Sequence, residues 1–415
     1  VELHLGRRVA FLRRRKGISQ EVLSQAIYLS VSHLSNIEKG RYSLNIDNAT
    51  EIAKYFNVPI EFLTKNIPNK NFDLQLEQIY EQISRGELDN LSEFFEDKVF
   101  AISLRQELLF NLLRAAYYSA IGKYHKAKLI SEIYDFMLFE DINFENEDLL
   151  IRKHYYLYRY EVSYFAKEWD KCWEYCKLLF ELDELRNLRG VFSFKLSQLL
   201  LKKGEYGKGL LQVHQTLELL EKIEDTKLLS KTIIVQSGIY IHLGLYNEVF
   251  ELFDRMSEIS EDKLVPEYKM IEYQHRGFIC KQSNQYEEAA NWYNKSLQLA
   301  EKPKYVFAIL TNLIQSEMKN LNFVLAKQYI QEARIQILSV HEEMVLDSFI
   351  AEIALYEGDK KMHNKFLKKV LIYFEEKNLT KDLAYIYTYL ASYYASQGAS
   401  KKAIYYYQLK ESVAI

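Results

Sequence analysis

A short signature returns along this chain at an interval near 40 residues, and it limits the possible folds more than any other feature. A Gly-x-Tyr tripeptide ends at Tyr124 ("GKY"), Tyr206 ("GEY") and Tyr246 ("GLY"), with "NQY" at Tyr286. Weaker copies end at Trp169 ("KEW"), Phe323 ("LNF"), Lys360 ("GDK") and Ser400 ("GAS"). Successive anchors lie 45, 37, 40, 40, 37, 37 and 40 residues apart. A period of that length without strand alternation predicts stacked helix pairs, each burying its apolar face against its neighbours. The register can be checked on flanking positions. Three residues after the anchors stand Ala127, Cys172, Gly209, Val249, Ala289, Ala326, His363 and Ala403; nine before stand Ala115, Tyr160, Ser197, Ser237, Gly277, Ile314, Ala351 and Ala391. Most are small, as two helices approaching closely across a tight turn require. A degenerate ninth copy surrounds "RGELDNL", Arg85 to Leu91, 36 residues ahead of the Tyr124 anchor.

Composition supports an all-α chain. Only 4 of 415 residues are proline, so long helices are seldom interrupted. A chain of this length exceeds one core and calls for several domains or a repeat array. Three cysteines give no disulfide framework. No run of 18 apolar residues and no signal-peptide core is present, which predicts a cytoplasmic protein without membrane contact. Charge is uneven: residues 1–41 carry 8 Lys/Arg against 3 acids, a net of +5, while the whole chain is −3 and the remainder therefore −8. Only the first segment is expected to meet a polyanion.

That segment has its own pattern. "LGRRVAFLRRRKG" places Leu5, Val9 and Leu12 at helical spacing and ends on Gly17. Ser19 can cap a second helix whose Leu23, Ala26 and Ile27 face inward, and Ser30 a third with Leu34 and Ile37 buried and Gly40 closing it. A fourth, capped by Asn45 or Asp47, presents Ile46, Ala49, Ile52, Ala53 and Phe56; "VPIEFL" forms a short closing helix. Five short helices with a tight turn between the second and third describe a helix-turn-helix domain.

The residues Gly17, Ile18, Ser19, Gln20, Leu23 and Ser24, then Ser30, Ser32, Leu34, Ser35, Ile37, Glu38 and Gly40, then Ile52, Ala53, Phe56, Val58 and Pro59, resemble the Cro/C1-type (Xre) helix-turn-helix family. Two departures stand out: Tyr28 occupies the usual turn glycine, and the proline often found before the fourth helix is absent. The geometry of such a domain puts the third helix in the major groove of double-stranded DNA. Val31, Ser32, His33 and Asn36 would then face base edges, while Gln20, Ser35, Lys39 and Arg41 would hold phosphates. Leu34 and Ile37 are core, and Glu38 pairs within the domain. One such unit covers few bases, so a homodimer or higher oligomer on a palindromic operator is implied.

The repeats resemble tetratricopeptide (TPR) units, most closely in "NQYEEAANWYNKSLQLA", Asn284 to Ala300. A TPR array is expected to wind into a superhelix whose first helices line a peptide-binding wall. The wall-facing position, eleven residues before each anchor, reads Leu113, Tyr158, Lys195, Val235, His275, Asn312, Phe349 and Tyr389. Asn312 is the sharpest candidate, because an amide both donates to and accepts from a peptide backbone; Lys195, Gln198, Gln274, His275 and Gln315 would surround it. Arg114, Arg159 and Arg276 recur ten residues before their anchors, for a ligand's acids or for ion pairs within the array. Cys172 and Cys176 share a helix at packing positions without a His or Cys pair beside them, so no metal site is expected. No P-loop, nucleophile elbow or HExxH motif occurs, and neither a cofactor nor an enzyme activity is expected.

A Cro/C1-type reader followed by a TPR array resembles the peptide-pheromone quorum-sensing regulators of the Rap/Rgg/NprR/PlcR group. That resemblance implies a DNA-binding transcription regulator switched by a short signalling peptide. In such proteins groove asparagines hold the peptide, and here only Asn312 matches. The expected organisation is a helix-turn-helix domain at 1–63, a linker and degenerate hairpin at 64–100 with a hinge at Ile60 to Asn71, and a peptide-binding and dimerisation array at 101–415. The competing reading is a Rap-like protein that binds, inhibits or dephosphorylates a response regulator, with Gln75, Gln78 and Gln82 as candidates for positioning water.

Overall fold

The computed structural model describes residues 4–96, 103–137, 147–182, 188–220, 225–257, 259 and 264–413, and every regular element among them is a helix. The first five are α1 (Gly6–Arg15), α2 (Gln20–Ala26), α3 (Val31–Glu38), α4 (Ile46–Phe56) and α5 (Glu61–Thr64). Their ends follow local chemistry. Gly17 closes α1 at φ +69°; Ser19 and Ser30 accept from Val22 N and His33 N, each at 3.2 Å; and Asn45, rather than Asp47, caps α4 by accepting from Asn48 N at 2.8 Å. Val9, Leu23, Leu34, Ile37, Ala49 and Ile52 are fully buried between them. Four inward placements need correction. Ala26 is exposed because the buried face of α2 turns toward Ser24, which donates to Glu21 O at 2.9 Å. Ile46 is exposed at the first position of α4, one turn ahead of the packed Ala49, and Leu5 and Phe56 are only half-buried.

Next come α6 (Lys70–Arg85) and α7 (Leu91–Glu96), the degenerate pair. Its turn is longer than the others, opening on Gly86 at φ +75° and ending on Asn90 at φ +65°. Eight regular pairs follow: α8 (Leu104–Ala120) with α9 (Tyr124–Met137), α10 (Leu149–Phe165) with α11 (Trp169–Leu182), α12 (Arg189–Lys203) with α13 (Tyr206–Leu220), α14 (Thr226–Leu243) with α15 (Tyr246–Met256), α16 (Tyr268–Gln282) with α17 (Tyr286–Gln298), α18 (Pro303–Lys319) with α19 (Phe323–Ile335), α20 (Val340–Tyr356) with α21 (Lys360–Glu376), and α22 (Thr380–Ser396) with α23 (Ser400–Val413). Every anchor residue is the first residue of the second helix of its pair.

The glycine of the signature now has a cause. The residue two before each anchor is left-handed in all eight turns: Gly122, Lys167, Gly204, Gly244, Asn284, Leu321, Gly358 and Gly398. One such residue ends the first helix and sends the chain back along it, and glycine adopts that conformation without cost. The flanking small positions are buried in every copy. They face each other across the pair: Cys172 Sγ lies 3.8 Å from Tyr160 O, and His363 Nδ1 lies 2.9 Å from Ala351 O. At Gly277 a Cβ would stand 2.9 Å from the Tyr293 ring, so any larger residue there would have to displace that ring.

The chain divides into two compact units, 1–235 and 236–415, with the division inside α14. The helix-turn-helix segment is part of the first unit rather than a unit of its own. In the second, Met270, Tyr293, Ile309, Leu313, Leu346 and Phe349 belong to one continuous core.

Candidate DNA interface and ligand wall

The second half of the helix-turn-helix is set by one carboxylate. Glu38, at the end of α3, accepts from Arg13 Nε at 2.7 Å and Arg13 Nη2 at 2.8 Å, and from Gln20 Nε2 at 2.7 Å. These bonds join α1, α2 and α3, and the hydrogen bonds that Arg13 donates to Glu38 hold its guanidinium above its ordinary pKa. Gln20, proposed from sequence as a phosphate ligand, thus spends an amide proton inside the domain. On the outer side of α3, Val31, Ser32, Lys39 and Arg41 are exposed and His33, Ser35 and Asn36 half-buried. The His33 ring lies 5.3 Å from that of Tyr42, a neighbour the sequence reading missed although it follows Arg41 directly. Asn36 O accepts from Arg41 N at 2.9 Å and Tyr42 N at 3.2 Å, which fixes Arg41 against the end of the helix. Tyr28 adopts φ +56° with 93% of its surface exposed, so the turn between α2 and α3 keeps a glycine's conformation without a glycine.

Not all of the segment's positive charge is available outside. Arg8 is buried and pairs with Glu107 of α8 at 2.9 Å, donates to Phe62 O at 2.6 Å and Lys65 O at 3.0 Å, and lies over the Phe62 ring. Burial pushes the Glu107 carboxyl up while the Arg8 charge opposes it. The segment expected to act as a hinge is fastened to the same helix start. Asn66 Oδ1 accepts from Leu104 N at 3.0 Å, Asn69 N donates to Gln106 Oε1 at 3.1 Å, and Gln106 Nε2 donates back to Asn69 O at 2.6 Å.

The candidate ligand-binding residues fall in two sets. In the first unit, Lys195 and Gln198 are half-buried on α12; Lys195 pairs with Glu161 at 3.2 Å over the Tyr160 ring. In the second, Gln274 and His275 lie on α16, Asn312 and Gln315 on α18, all half-buried. His275 Nδ1 lies 2.9 Å from Ser237 Oγ, and desolvation lowers its pKa to about 4, which leaves it neutral at pH 7. Asn312 has both ends of its amide engaged: Nδ2 donates to Ala308 O at 3.1 Å and Oδ1 accepts from Lys281 Nζ at 3.0 Å. Gln315 Oε1 accepts from the same ammonium at 3.0 Å. Lys281 was not singled out from sequence, although it follows Gln274 by seven residues and so shares its helix face.

Of the three recurring arginines, Arg276 forms ion pairs, with Glu272 at 2.9 Å and Asp254 at 3.0 Å. Arg159 instead lies over the Tyr155 and Tyr175 rings and donates to Tyr155 Oη at 3.2 Å, and Arg114 lies over Tyr118. Cys172 and Cys176 are fully buried; desolvation pushes the Cys172 thiol up to about 12 and the Cys176 thiol higher still. Both are packing groups, not nucleophiles.

A capped recognition-type helix joined to serial helix pairs defines the class: a helix-turn-helix domain carrying a helical-repeat array. Residues 9–63 match the family model HTH_3, described as helix-turn-helix. An uncharacterized HTH-type transcriptional regulator of Sinorhizobium medicae (strain WSM419) is 26% identical over 68 residues, which are 16% of this chain and 49% of that protein. The match therefore spans about half the length of that curated relative. Among solved structures, a Rap protein complexed with competence and sporulation factor is similar over 84% of this chain and 98% of its own, with 14% identity and a TM-score of 0.64. The apo form of the quorum sensor NprR from B. thuringiensis is similar over 83% and 99%, with 13% identity and a TM-score of 0.65. NprR in complex with its cognate peptide NprX covers the same shares at 14% and 0.56. The chain thus combines an Xre-type helix-turn-helix domain with the array fold of Rap and NprR. Among the described residues no helix is long and apolar enough to cross a membrane.

Proposed function

We propose that this protein is a sequence-specific DNA-binding transcription regulator of the peptide-pheromone type, whose array binds a short signalling peptide that switches it. The observation that carries the reading is the joining of an exposed, Ser30-capped α3 to an array with the fold of a peptide-bound quorum sensor. Val31, Ser32, His33 and Asn36 read bases, and Ser35, Lys39 and Arg41 hold phosphates; Gln20 contributes by fixing Glu38. Lys195 and Gln198 in the first unit, and Gln274, His275, Asn312 and Gln315 in the second, are each candidates for contact with the peptide. A homodimer places two readers on a palindromic operator, and the peptide changes their spacing by binding one arrangement more tightly than the other. Selection of bound sequences from random duplex DNA, with and without a synthetic peptide pool, tests this. An enriched motif that His33→Ala and Asn36→Ala blur supports it; no enrichment in either condition refutes it.

One observation favours a second reading. Gln75, Gln78 and Gln82 line a cavity of about 510 Å3 beside α6 with Glu81, Arg85 and Glu87, where Arg85 is held by Asp225 at 2.8 Å. A response regulator docking there would meet three amides able to orient water. Its acyl-phosphate lifetime, measured with and without this protein, decides: an unchanged lifetime and no complex removes this reading.

A further inference from the structure

Cations in the second unit that lie near acids are neutralised by them. Lys269 pairs with Glu272, Arg276 with Glu272 and Asp254, Lys327 with Glu357, Arg334 with Asp347, and Lys369 with Glu343 and Asp347. Lys281 differs. Its ammonium is half-buried at the end of α16, and its hydrogen bonds go to two neutral amide oxygens, Asn312 Oδ1 and Gln315 Oε1, both at 3.0 Å. The Phe278 ring lies 5.6 Å away, and no carboxylate reaches Nζ within 4.0 Å among the described residues. Amide oxygens satisfy two of the three ammonium donors but leave the charge uncompensated. Desolvation lowers this group's pKa to about 8, so it is cationic at pH 7 in surroundings that disfavour the cation.

We propose that Lys281, cradled by Asn312 and Gln315, is a receptor for a carboxylate of the ligand. This rests on the peptide-binding reading and sharpens it: the peptide presents an Asp or Glu side chain, or its own C-terminus, to the face shared by α16 and α18. The third ammonium donor meets one carboxylate oxygen. The Gln315 amide, turned so that Nε2 faces outward, donates to the other. Asn312 then acts by holding Lys281 in place rather than by gripping the peptide backbone.

Affinity selection on the full chain uses four synthetic heptapeptide pools, with and without Asp/Glu, each as the free acid and the C-terminal amide. Retention of carboxylate-bearing pools about tenfold or more above the acid-free amide pool is expected, and Lys281→Met is expected to erase that preference. Amidation alone weakening retention identifies the C-terminus as the source; loss of Asp/Glu alone identifies a side chain. Equal retention of the carboxylate-free pool, or a preference surviving in Lys281→Met, overturns the proposal. Because Lys281→Met removes a desolvated charge, its Tm at pH 7 is expected to be no lower than that of the parent chain, separating lost recognition from lost folding. A second probe is acetate, followed through the 13Cε resonance of Lys281. If no pool is retained but acetate shifts this resonance beyond an equal concentration of chloride, the carboxylate receptor stands and the peptide reading falls. If neither occurs, both fall.

Discussion

At the scale of single residues, Tyr28 stores strain that the turn does not need. A non-glycine at φ +56° costs about 1–2 kcal/mol, and a side chain with 93% of its surface exposed returns little packing. Tyr28→Gly is therefore expected to raise the free energy of opening of α2 and α3 by about 1 kcal/mol, read by amide hydrogen exchange. Faster exchange in the variant would mean that the tyrosine holds a contact worth more than its strain. The departure was visible in the sequence because the family pattern has glycine there. The partners of charged side chains were not visible. Gln20 and Glu38 are 18 residues apart, Lys281 and Asn312 31, and only folding brings each pair together.

Among elements, the repeat was legible in detail and the connection between reader and array was not. The anchors Tyr124, Trp169, Tyr206, Tyr246, Tyr286, Phe323, Lys360 and Ser400 each open a helix, because the left-handed residue two positions earlier must end the one before. Lys167, Asn284 and Leu321 take that conformation without being glycine, and copies around Trp169 and Phe323 read as weak for this reason. The stretch Ile60 to Asn71 looked like a hinge from its Pro68 and three asparagines, yet Asn66 and Asn69 use their polar groups to tie it to α8. Composition alone does not tell a flexible asparagine from a fastening one. Arg8 and Glu107, 99 residues apart, complete the tie. Glu107→Gln keeps the shape but strips a buried guanidinium of its carboxylate, and is expected to cost about 3 kcal/mol or more. A Tm within a degree of the parent's would show that the other partners of Arg8, the carbonyls of Phe62 and Lys65 among them, suffice to hold it.

For the whole molecule, charge counting gave the sign of the reader and overstated its reach. Of the eight basic residues in the first 41, Arg7 and Arg8 are buried and Arg13 is committed to Glu38, which leaves Arg14, Arg15, Lys16, Lys39 and Arg41 exposed. Each phosphate neutralised contributes about −0.9 to the slope of log affinity against log salt. This segment's share is therefore expected to be no steeper than about −4.5 per reader, with Arg41→Ala flattening it by about 0.9. A contribution of about −6.3 from this segment would require Arg8 and Arg13 to leave their carboxylates on binding.

Arg8 and Arg13 also sit on one helix, five residues or about 7.5 Å apart along its axis. The first is bolted to α8 and the second to the last turn of α3. Helix α1 is in this sense a connecting rod: a displacement of α8 meets no slack loop before it reaches the end of the reading helix. Mechanical play between α8 and the exposed face of α3 is limited to what two ion pairs and about one and a half turns of helix can yield.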